Sequence, residues 1–114
     1  MDFSSTVKDE VFVLQISGDL IGDGKGLELM ELVNDTISDD IFKGVIDISH
    51  LRYINSTGIG VLITVLTKFR NKGGEVVLVN PSETVKKLLI ITKLNAIFKV
   101  SDSVDSAIEE LKEN

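Results

Sequence analysis

Residues 45–66 read VIDISHLRYINSTGIGVLITVL, and this stretch decides the fold. Val45, Ile46 and Ile48 concentrate β-branched side chains, as a buried strand does. Asp47 and Ser49 interrupt the run, which places a polar crossing between that strand and the helix beyond it. Ile59, Leu62, Ile63, Leu66 and Phe69 then recur at i, i+3, i+4, i+7 and i+10, the inward stripe of an amphipathic helix. Asn55 or Ser56 can cap that helix, because a short oxygen-bearing side chain accepts an orphan N–H of the first turn. Either way a serine hydroxyl lies at the positive end of a helix dipole, where negative charge is tolerated.

Working outward, Phe3 to Val7 and Val11 to Ser17 read as two strands joined at Lys8-Asp9-Glu10, the second covered on both faces. Residues 18–26, GDLIGDGKG, form a loop with four glycines. A helix follows over Leu27 to Ile37, with Leu29, Leu32, Val33 and Thr36 or Ile37 inward. Strand three covers Phe42 to Ile48 and the second helix Ser56 to Asn71, stopped at Gly73-Gly74. Glu75 to Asn80 is a continuous apolar strand. Pro81-Ser82 opens a third helix, Ile97 to Val100 is a short strand, and Val104 to Leu111 a closing helix. Alternating strands and helices after a tight hairpin imply an α/β fold: a single mixed β-sheet of about five strands with α-helices packed on it. Residues 1–114 read as one domain, with no linker or repeat.

Composition excludes several classes of function. A net charge of −6 disfavours nucleic acid, whose phosphates demand a basic surface. The chain has no cysteine and one histidine, His50, so thiolate sites and histidine-assisted nucleophiles are not expected. The N-terminal MDFSSTVKDE is unlike a signal peptide, and no apolar run approaches the roughly 20 residues of a membrane span. These features predict a cytoplasmic protein. The glycine loop fails as a Walker A motif: five residues, not four, separate Gly18 from Gly24-Lys25, and Gly26 stands where a Ser/Thr would hold magnesium. No cofactor or metal is expected, and no enzymatic activity. Val61 and Val65 fall outside the inward stripe, where they either widen the buried face or form an apolar patch beside Ser56. Two readings of Ser56 therefore remain: a residue at a helix cap, or a switchable docking site next to that patch.

The element Leu51-Arg52-Tyr53-Ile54-Asn55-Ser56-Thr57-Gly58-Ile59-Gly60 resembles the L-x-x-[ILMF]-[DN]-S-[ST]-G-[IL]-G pattern of STAS domains, in particular the bacterial anti-sigma factor antagonists. Leu94 to Val100 and the early segment of residues 13–20 fit the same family, so the likeness covers nearly the whole chain. The resemblance implies a phosphorylation-switched binding domain whose partner is an anti-sigma factor serine kinase. Unmodified, it would sequester that partner and release a sigma factor; a phosphatase would reverse the phosphorylation. It places the modification at Ser56, with Thr57 as the alternative, and partner contacts at Gly22, Asp23, Asn55, Ser56, Thr57, Gly58, Val61 and Val65. Two positions depart from the pattern: Asn55 stands where an acidic residue is common, and Ile21 where the early loop commonly carries aspartate. The alternatives are a phosphorylation-independent adaptor of a transporter or signalling complex and, from another class, a nucleotide-binding domain.

Overall fold

The computed structural model describes residues 1–21 and 25–112. Strands β1 (Asp2–Lys8) and β2 (Val11–Leu20) precede α1 (Lys25–Ser38), β3 (Lys43–Ile54), α2 (Ser56–Arg70) and β4 (Glu75–Val79). Then come α3 (Glu83–Ile91), a 3-10 turn at Leu94–Ala96, β5 (Lys99–Ser101) and α4 (Val104–Lys112). The strands form one sheet in the order β1-β2-β3-β4-β5, with β1 antiparallel and the rest parallel. The sheet is therefore mixed, as the sequence predicts. Asp9 and Glu10 close the hairpin at φ of 53° and 64°. That left-handed pair is the type I′ geometry whose twist suits two-residue hairpins.

The two faces of the sheet are covered unequally. Phe12, Leu14, Ile16, Ile46, Ile48, Val76 and Leu78 point toward α1, α2 and α3, meeting Leu29, Val33, Leu62, Leu66, Val85 and Leu89 in the larger core. The opposite face packs Val11, Val45, Val77 and Val79 against Ala107, Ile108 and Leu111 of α4. One short helix cannot span the sheet, so Gln15 is exposed and Asp47 only half-buried. This corrects the expectation that β2 is covered on both faces: only its first three residues, Val11 to Val13, are.

Strand β3 runs to Ile54, well past the predicted end at Ile48. The supposed polar crossing is strand. Gln15 pairs Asp47 but Ser17 pairs His50, and Gly18 pairs Leu51 but Asp19 pairs Tyr53, so β3 carries an extra residue at two places. Each bulge reverses the inside–outside parity. That is why the buried residues Ile48, Leu51 and Ile54 recur every third position instead of every second. β2 likewise continues to Leu20, and α1 begins at Lys25, so most of the predicted glycine loop is regular structure.

Helix α2 ends as predicted. Gly73 sits at φ +77°, its N–H on Arg70 O and the Gly74 N–H on Phe69 O, both at 2.9 Å. These two bonds are a Schellman stop, which requires a left-handed residue at C′. The helix is rotated from its predicted phase. Leu62, Leu66 and Phe69 are buried as predicted, but Gly58 and Val65 join them, Ile59 is only half-buried and Ile63 is exposed. Phe69 stacks on Phe12 at 6.1 Å and Gly58 lies under the end of β2, and these two anchors fix the rotation. The last strand is Lys99–Ser101, not residues 97–100: Ile97 follows the 3-10 turn and Phe98 is a core residue.

Candidate functional site

The ends of β2 and β3 meet the start of α2 through one side chain. Asn55 sits extended at φ −105°, and its Oδ1 accepts the Gly58 N–H at 2.9 Å, capping the helix. Its backbone N–H donates to Leu20 O at 3.3 Å, and its amide Nδ2 to Ile21 O at 3.4 Å. Asparagine thus uses both ends of its amide, one as acceptor and one as donor. A carboxylate in its place would cap equally well but could not donate to Ile21 O.

Because Asn55 is the cap, Ser56 is not. Ser56 and Thr57 occupy the first two helical positions, both exposed. Among the described residues no group engages the Ser56 hydroxyl, which stands free at the positive end of a four-turn helix. Beside it, α1 and α2 leave a shallow groove of ≈ 430 Å³ lined by Gly26, Leu27, Met30, Thr57, Gly60, Val61 and Thr64. Leu27, 76% exposed, adds an apolar side chain to the rim of this groove. Arg52 and Asp19 form a two-pronged ion pair at 3.2 Å, holding β3 to β2 at the same end of the sheet.

The residues expected to meet a partner divide into three groups. Asn55, Ser56, Thr57 and Val61 are brought together at the surface or half-buried. Gly58 and Val65 are not available for contact. Gly58 is buried where a Cβ would collide with Leu20 O, and Val65 is 1% exposed in the core. Both are corrected to structural roles. Gly22 and Asp23 lie outside the described residues. The groove also includes residues that sequence reading missed: Gly26, Leu27, Met30, Gly60 and Thr64. A signal existed at Gly60, since a glycine inside a helix costs about 0.5–1 kcal/mol against alanine and so stands out in the helical pattern.

A single five-stranded mixed sheet with four helices packed on it defines a small α/β domain. The chain belongs to the STAS domain family, whose model matches residues 2–107. A Thermotoga maritima protein described provisionally as an anti-sigma factor antagonist is 26% identical over 110 residues, covering 96% of this chain and 97% of that one. The crystal structure of a Thermotoga maritima protein with the same provisional description superposes with a TM-score of 0.86 at 27% identity, over 96% of this chain and 94% of that one. The phosphorylated form of SpoIIAA from Bacillus shares the fold, with a TM-score of 0.74 at 19% identity over 96% of this chain and 98% of that one. No helix among the described residues is long and apolar enough to cross a membrane. No cluster of His, Cys, Asp and Glu among them could hold a metal ion.

Proposed function

We propose that this protein is an anti-sigma factor antagonist, a non-enzymatic binding domain switched by phosphorylation of Ser56. Its partner is an anti-sigma factor serine kinase, sequestered by the unmodified form, and a phosphatase regenerates that form. The observation that carries this reading is the division of labour at the start of α2. Asn55 holds the cap, so Ser56 is free to be modified without dismantling the helix. The provisional naming of the Thermotoga relative supports the same assignment.

The physics of the switch follows from placement. A phosphate adds about −1.5 to −2 charge and three acceptor oxygens. At N1 of α2 the dipole and the unpaired N–H groups offset that charge within the protein's own fold. A partner seated over the α1–α2 groove would have to bury the same dianion, and an unpaired buried charge costs several kcal/mol. Modification therefore acts on docking and leaves folding nearly unchanged. Incubation with the kinase and ATP, followed by peptide mapping, should place the phosphate on Ser56. Modification confined to Thr57, or none on either residue, would overturn the assignment.

A further inference from the structure

The sheet has two edges, and they are protected unequally. β5 is three residues long and begins with Lys99. Short edge strands and lysine are both devices that discourage pairing with another chain. β1 lacks such devices along its middle. It runs seven residues, without proline, in unbroken register from Asp2↔Ser17 to Lys8↔Val11. Its only charges stand at the two ends, and among the described residues nothing pairs with its outer side. All but Phe3 are exposed, Val7 by 51%.

The strand, DFSSTVK, is also complementary to itself when reversed. An antiparallel copy centred on Ser5 sets Asp2 opposite Lys8, Phe3 opposite Val7, Ser4 opposite Thr6, and Ser5 opposite its own equivalent. Opposite charges, an aromatic with a β-branched residue, and hydroxyl with hydroxyl are each favourable cross-strand pairs. Phe3 and Val7 lie on the same face of the sheet as Ile16 and Phe12, their β2 partners, so the apolar pairs would extend the larger core. Asp2 and Lys8 already meet Lys25 and Asp105 through exposed ion pairs, which a second partner can share.

We propose that β1 is a homodimerisation edge, at which two copies of this chain pair antiparallel about Ser5 into one continuous ten-stranded sheet. The interface is isologous, so it closes on two copies and cannot propagate. α2 packs on β2, β3 and β4, which leaves each Ser56 on its own copy's helix layer and makes the particle divalent for its partner.

Sedimentation equilibrium of the full chain over a concentration series tests this. The wild type should self-associate to a dimer. Ser5→Lys sets two cations opposite each other at the two-fold and should abolish the dimer, while the circular dichroism spectrum stays unchanged. Lys8→Asp should weaken dimerisation, and adding Asp2→Lys should restore it. Since the chain has no cysteine, Ser5→Cys gives one thiol per copy, which should form an intermolecular disulfide under mild oxidation, whereas Val100→Cys on β5 should not. A monomer at every concentration overturns the proposal, as does a dimer indifferent to Ser5→Lys or unlinked through Ser5→Cys. Protection of β1 amides only on adding a different protein would assign the edge to that protein, and would equally refute it.

Discussion

Gly58 and Gly60 are two residues apart in α2, and the same substitution should act on them with opposite sign. At Gly60 an added Cβ meets nothing within 4 Å, so alanine brings only its helix propensity. That is worth about 0.5–1 kcal/mol. With an unfolding entropy of roughly 2.1 cal/mol/K per residue, a chain of this length should gain about 2–4 °C in Tm. At Gly58 the added carbon would collide with Leu20 O and stand 2.9 Å from Ile54 Cγ1. The obstacle is backbone, so relief requires α2 to lift from the end of β2. Overpacking of this kind costs about 1–3 kcal/mol, larger than the propensity gain and opposite to it. Thermal and urea unfolding of Gly60→Ala and Gly58→Ala would read both effects. A Gly58→Ala protein as stable as wild type, or a destabilised Gly60→Ala, would refute the packing argument. Gly60→Ala also puts a methyl into the α1–α2 groove, so its gain in stability should accompany weaker docking.

Asn55→Ala removes the cap and should cost about 1 kcal/mol in urea unfolding, whereas Asn55→Asp keeps an acceptor and should lose less. An equal loss in the two variants would deny the cap its role. Ser56→Asp should raise stability by about 0.3–1 kcal/mol at low ionic strength, an increment that salt removes. A marked drop in Tm would mean that the hydroxyl makes a contact which the geometry does not contain. Glu10→Gly relieves a left-handed non-glycine residue in the hairpin turn. It should stabilise the fold by about 1 kcal/mol, measured by thermal melts, and a loss of stability would show that the side chain has another function.

The architecture was legible because apolar runs, a glycine stop and a tight turn each act locally. What the sequence hid was produced by contacts between distant segments. The two bulges of β3 reset which side chains face the core, so His50 and Tyr53 looked like a crossing when they belong to a strand. The phase of α2 is set by the close approach of Gly58 to β2, and a glycine leaves no mark in an apolar pattern. Placing Ile63 in the inward stripe and Val65 on its flank follows from that blind spot. At the site, the motif brought Asn55, Ser56 and Thr57 into view. The groove beside them needs α1 against α2, a pairing that no spacing within either helix reveals.

In the proposed switch, charge on one free hydroxyl at the start of α2 decides docking. The most direct measurement is calorimetric titration of the serine kinase with unmodified protein and with protein phosphorylated at Ser56. An unpaired charge buried in the interface costs about 2–5 kcal/mol, so affinity should fall by roughly 30-fold to several thousand-fold. Equal affinity for the two forms would contradict the account.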